Sequence, residues 1–147
     1  MGVDPSIAGR SYPPSATYQV SREKIREFAD AIGDPDPAYR DPEAAAALGH
    51  PDVVAPPTFA VTIAQRCEAQ VVSDPASGID FSRVVHGEER FRHHRPIVAG
   101  DELVPTLHVD SVREMAGNSM VTTRVEIADL TGTPVSTVVS MLVVRGE

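Results

Sequence analysis

The stretch from residue 58 to residue 72, TFAVTIAQRCEAQVV, limits what this chain can fold into more than any other part of it. Ala60, Ala64, Cys67 and Val71 fall on one stripe at the helical period. Phe59 and Ile63 widen that stripe until little of the first two turns is polar. A helix apolar nearly all round has to be buried. The segment is therefore expected as a central helix, and the rest of the chain must supply its cover.

The cover is legible in the second half. From Val84 onward the apolar period changes from helical to two: Leu103, Leu107 and Val109 alternate with polar neighbours, as do Val121, Thr123, Val125 and Ile127. Turn signals at Ala99-Gly100-Asp101, Ala116-Gly117-Asn118 and Thr131-Gly132 divide this half into strands near 84–95, 102–114, 119–130 and 134–145. Short connections imply a four-strand antiparallel meander. Helices first and strands afterwards define an α+β class, with an antiparallel sheet curled around the central buried helix. One domain spanning residues 1–147 is expected, since the length suffices for a core and no linker or repeat interrupts it.

The first half reads as lead-in. Residues 1–17, rich in Pro, Gly and Ser, are expected to wrap the surface with Tyr12 as an anchor, and Tyr18-Gln19-Val20 forms a short strand. Ser21 caps an amphipathic helix over 22–32, with Ile25, Phe28, Ala29 and Ile32 on one face and Gly33 as its stop. Asp41 caps a second short helix with Pro42 at its first position, and Gly49 ends it.

Composition excludes several classes. With 13 basic and 21 acidic residues the formal net charge is -8, which argues against general affinity for nucleic acid or anionic membrane. The one cysteine, Cys67, lies on the buried stripe and reads as a core residue. No metal-ligand spacing, dinucleotide fingerprint or Ser/His/Asp arrangement is present, so neither metal nor cofactor is expected. Residues 1–10 do not resemble a signal peptide and no apolar run reaches membrane length; a cytoplasmic protein is expected.

Taken singly, the polar candidates have ordinary explanations. Asp34 and Asp36 fit a solvated turn and Asp41 fits a cap. His93 and His94, inside the basic run 90–95, are successive strand residues, so they point to opposite faces and share no site. That run reads as a solvated strand face, with an anion or acidic carrier protein as the sharper alternative. His86 stands beside Gly87, where backbone can approach a ligand closely.

In combination the motifs say more. REKIREFADAIGD at 22–34, DPEAAAALGH at 41–50, APPTF at 55–59 and VVHGEERFRHHRPIVAGDEL at 84–103 resemble, in order, the MaoC-like dehydratases and (R)-specific enoyl hydratases. More narrowly, the chain resembles actinobacterial (3R)-hydroxyacyl-ACP dehydratase subunits, which carry the N-terminal type of MaoC domain. It implies a hot-dog fold and action on acyl-CoA or acyl-ACP thioesters of fatty-acid metabolism. It also implies a homodimer, or a heterodimer with a sister hot-dog subunit, because such sheets pair edge to edge and the apolar last strand should not stand at an open edge.

The family's catalytic loop reads Gly-Asp-x-Asn-Pro-x-His-x-Asp-Pro, its Asp and His acting on water and on the proton beside the thioester carbonyl. Here Gly33, Asp34, Pro37, Asp41 and Pro42 match, Asp36 replaces the Asn and Tyr39 replaces the His. A phenol titrates near 10 and imidazole near 6.5, so Tyr39 is a poor base at neutral pH. Subunits of this kind lacking the His pair with a sister that retains it, which implies a substrate-channel role. By the resemblance the catalytic candidates are Asp34, Tyr39 and His86, with His86 or His50 as replacement for the missing His. Pro57, Thr58 and Phe59 are the substrate-binding candidates: the N–H groups near Thr58 and Phe59, at the start of the central helix, can polarise the thioester carbonyl, and Pro57 fixes the entry to that helix without needing a donor. A non-catalytic acyl-chain or carrier-protein binding module and a thioesterase are the competing functions.

Overall fold

Period-two alternation in the second half becomes a single antiparallel sheet. The computed structural model describes residues 2–147. In chain order it contains β1 (Tyr18–Gln19), α1 (Arg22–Ala31), α2 (Pro42–Ala47), α3 (Ala60–Val72), β2 (Val84–His93), β3 (Glu102–Met115), β4 (Asn118–Asp129) and β5 (Pro134–Val144). The strands lie in the order β1-β3-β4-β5-β2, every pair antiparallel.

This order corrects the expected meander. Only β3, β4 and β5 follow one another; β2 crosses to pair with β5, from Val84 opposite Val144 to His93 opposite Ser136. The last strand is therefore interior, which suits a run apolar on both faces, and β2 is the open edge. Seven of the ten β2 residues, Val85–Glu88, Arg90, Arg92 and His93, are exposed, while Val84, Glu89 and Phe91 are half-buried.

The opposite edge is covered by the chain's own start. Beyond β1, the N–H groups of Gly9, Tyr12 and Ser15 donate to the carbonyls of Val109, Leu107 and Pro105 on β3 at 2.8–2.9 Å. Tyr12 anchors this arm as expected, its hydroxyl donating to Asp74 Oδ2 at 2.7 Å. Pro13 and Pro14 within it have no N–H to offer a further strand.

Helix α3 packs on β3, β4 and β5. Ile63, Ala64, Cys67 and Val71 meet Leu107, Val109, Val121, Val125, Val138 and Leu142 in one buried cluster. Each fully buried Ile, Leu or Val contributes roughly 1.5–3 kcal/mol relative to exposure, so this interface organises the molecule. The helix is not buried all round, however: Gln65, Arg66 and Ala69 are exposed, because the sheet covers it from one side. Glu68, four residues after the buried Ala64, is itself buried and accepts a hydrogen bond from Thr123 Oγ1 at 3.0 Å.

Capping explains the smaller elements. Ser21 Oγ accepts from Lys24 N–H at 3.1 Å to start α1, and Asp41 Oδ1 accepts from Glu43 N–H at 2.9 Å to start α2. Gly33, at φ +73°, turns the chain out of α1 in a conformation that a side chain disfavours.

Candidate active site

The loop after α1 is built by its own polar groups. Asp34 Oδ1 accepts from Asp36 N–H at 3.1 Å, and Asp36 Oδ1 accepts from Ala38 N–H at 2.9 Å, capping a 3-10 turn over Pro37–Tyr39. Arg40 ties the ends together: its guanidinium donates to the carbonyls of Asp34 (2.7 Å) and Asp36 (2.9 Å) and to Asp30 Oδ1 (2.6 Å). Asp36 is thus a structural cap, and Asp34 keeps one carboxylate oxygen without a partner among the described residues.

Tyr39 faces a cavity of about 510 Å³, within the range of small-molecule sites. Its walls include Leu48, His50, Pro57, His93, His94 and Ile97. The phenol makes no hydrogen bond among the described residues. Burial, and then the charges of Asp34 and Asp36, push its pKa up from the ordinary 10.0. Tyr39 is held protonated and can donate a hydrogen bond, but it is not a base. Asp34 does not line the cavity; its charge reaches Tyr39 from beside it.

His93 and His94 were expected on opposite faces, yet both line this cavity. Strand β2 ends at His93, so alternation no longer governs His94. His93 Nε2 lies 2.8 Å from Pro57 O and its Nδ1 lies 3.0 Å from Ser136 Oγ. His50, three residues beyond the end of α2, is the other imidazole at the cavity.

The helix start is also rearranged. Residues 56–59 form a turn before α3, in which Phe59 N–H donates to Pro56 O at 2.9 Å. Phe59 is therefore not a free donor, and its side chain is fully buried, edge-on to Phe28 and Tyr18 with centroids 5.5 and 6.4 Å away. Among the described residues the N–H groups of Thr58 and Ala60 have no acceptor. Thr58 and Pro57 are exposed.

His86 stands elsewhere. It lines a separate, largely apolar cavity of about 440 Å³ with Gln65, Glu68, Val72, Phe81 and Leu142, and that lining shares no residue with the Tyr39 cavity. Gly87 serves packing rather than ligand approach: it lies at a bulge between His86 and Glu88, where a Cβ would meet Met141 Cε at 2.7 Å.

Beside this second cavity lies a carboxylate pair with no obvious sequence signal. Glu89 Oε2 accepts from Ser140 Oγ at 2.8 Å, while its Oε1 is buried without a partner. Burial chiefly, helped by the charge of Glu68, pushes the Glu89 pKa up against the pull of Ser140 and His86. A carboxyl whose folded pKa exceeds its unfolded value stabilises the fold at low pH and loses that contribution as pH rises through the folded value. Glu89→Gln, which keeps an acceptor for Ser140 and carries no charge, is expected to raise thermal stability at pH 7. Solvent screening limits the gain to at most about 1 kcal/mol. The gain should vanish below pH 4, and melting curves at both pH values check it.

Among the described residues no helix is long and apolar enough to cross a membrane, and no group of three or more His, Cys, Asp or Glu is placed to hold a metal.

The curled sheet around one helix, with a polar loop beside the helix start, is the hot-dog architecture of the MaoC-like dehydratases and hydratases. The chain belongs to the family described as FAS1-like, dehydratase domain region, which matches residues 6–138. A UPF0336 protein of Saccharopolyspora erythraea is 55% identical over 146 residues, covering 99% of this chain and 94% of that one. A solved MaoC-like dehydratase superposes with a TM-score of 0.89 at 38% identity over 96% of this chain, which spans only 43% of that protein's length. The C-terminally truncated HadBC (3R-hydroxyacyl-ACP dehydratase) complex from Mycobacterium tuberculosis gives a TM-score of 0.84 at 34% identity, covering 93% of this chain and 96% of that one.

Proposed function

We propose that this chain is the substrate-channel subunit of a (3R)-hydroxyacyl-thioester dehydratase, equally an enoyl-thioester hydratase, that works with a His-bearing sister hot-dog subunit. The observation that carries the reading is Tyr39. It occupies the family's His position, it faces the cavity, and its environment keeps it protonated.

Hydration adds water oxygen to C3 of the enoyl thioester and a proton to C2, with negative charge developing on the carbonyl oxygen between the two. The sister's Asp and His would take the proton from water and return one to C2. This chain's part is electrostatic and steric: the cavity holds the acyl thioester, Tyr39 donates a hydrogen bond from its wall, and the unpaired N–H of Thr58, which follows the cavity-lining Pro57 without itself lining the cavity, stabilises the developing oxyanion at its rim. A neighbour described as a dehydratase complex supports a sister partner, as does an unpaired β2 edge on this chain. A single-domain subunit acting in the cytoplasm on acyl-CoA or acyl-ACP completes the reading.

Hydration of crotonyl-CoA, followed by loss of enoyl absorbance, tests it. The purified chain alone is expected to be at least about 100-fold slower than its complex with the sister subunit, the usual cost of a missing acid/base partner. Activity of the chain alone that disappears with Asp34→Ala would overturn the channel role and make it a self-sufficient enzyme.

A further inference from the structure

His93 is fastened at both ring nitrogens, and what it fastens is the approach to α3. A carbonyl oxygen only accepts, so the proton on the ring belongs at Nε2, which donates to Pro57 O at 2.8 Å. Nδ1 then accepts from the Ser136 hydroxyl at 3.0 Å. Ser136 is buried on β5, in the interior of the sheet, so this end of the link is rigid. Pro57 is exposed, and neither Pro56 nor Pro57 has an N–H with which to tie the segment down. The carbonyl of Pro57 is the handle by which the sheet holds the turn.

That handle sets the direction of a donor. The Pro57 carbonyl and the Thr58 N–H belong to one trans peptide plane, so fixing one group fixes the other, pointing the opposite way. Thr58 N–H is the donor that has no acceptor among the described residues. We propose that His93 is a positioning residue, whose imidazole clasp between Ser136 and Pro57 aims the Thr58 N–H at the thioester carbonyl oxygen. The proposal rests on the dehydratase reading above and adds to it a residue that none of the loop motifs contains. Aiming matters because a donor fixed before reaction stabilises developing charge without reorganising, and a shift of about 1 Å costs up to about 100-fold in rate.

The test compares His93→Phe, which keeps a ring but removes both nitrogens, with His93→Gln, whose amide still donates to Pro57 O. In the complex with the sister subunit, His93→Phe is expected to lower kcat for crotonyl-CoA hydration about 10-fold with little change in KM. His93→Gln is expected to restore kcat to within a few-fold. NMR relaxation of the chain itself gives a readout independent of turnover. The Thr58 N–H order parameter is expected near the rigid-backbone value of about 0.85 in the native chain and in His93→Gln, and below about 0.6 in His93→Phe, with the melting temperature nearly constant because His93 is exposed. Unchanged kcat in His93→Phe, or equal damage from both substitutions, would overturn the proposal. Wild-type silence on every thioester, with the order-parameter difference intact, would instead overturn the dehydratase reading and the positioning role with it. The two failures are thus told apart.

Discussion

Tyr39→His is expected to convert the isolated chain into a measurable hydratase, raising crotonyl-CoA hydration by about 100- to 10,000-fold, the usual contribution of a positioned acid/base group. The scaffold for that group is already in place. Asp36 caps the turn that carries residue 39, Arg40 clamps the loop from the other side, and Asp34 stands next to the side chain with one oxygen free. Burial and two neighbouring carboxylates keep a phenol from ionising, but the same carboxylates favour protonation of an imidazole and bring it into the useful range. The gain should be lost again in Tyr39→His/Asp34→Ala. A gain that survives the second substitution would show that the new imidazole works without Asp34. No gain, in a variant with native melting behaviour, would place the limiting defect elsewhere than at residue 39.

The second large effect concerns the fold. Phe59→Ala is expected to cost about 3–5 kcal/mol, the range for truncating a buried phenylalanine, and to lower the melting temperature by roughly 6–20 °C in a chain of this length. Phe59 has no solvent exposure and locks α1, β1 and the start of α3 together through Phe28 and Tyr18. Urea unfolding gives the free energy directly. Phe59→Leu should recover most of it, since the cavity is then smaller. A small loss in Phe59→Ala would mean that this aromatic cluster collapses onto the gap.

Local signals served well where one physical cause dominates. Ser21 and Asp41 cap the helices their positions foretell, the stripe Ala60–Ala64–Cys67–Val71 is buried, and the period-two segments become strands. The strand order was not legible, because alternation records which face a residue occupies and not which neighbour it pairs with. The convergence of His93 and His94 depends on where β2 ends, within a residue, and boundaries are the weakest part of such reasoning. The burial of Glu68 was hidden by its charge, since a lone Glu on a helix is normally solvated and only Thr123, 55 residues on, reveals its partner. The Asp-Pro signal holds at more places than 41–42. The pair occurs at 4–5, 34–35, 36–37, 41–42 and 74–75, and in all but 34–35 the aspartate caps a helical turn with the proline at its first position.

The arm formed by residues 9–15 has a consequence for how large an assembly can grow. A sheet with two free edges is bivalent, and bivalent units link without limit into fibres. By lying along β3, the arm reduces this chain to one valence, the β2 edge. A monovalent unit that meets another, whether a copy or a sister, satisfies both and leaves nothing to add to. The prolines in the arm act as a stopper: with no N–H to offer on that side, growth by sheet edges alone would end at two subunits, before any side-chain contact has been chosen.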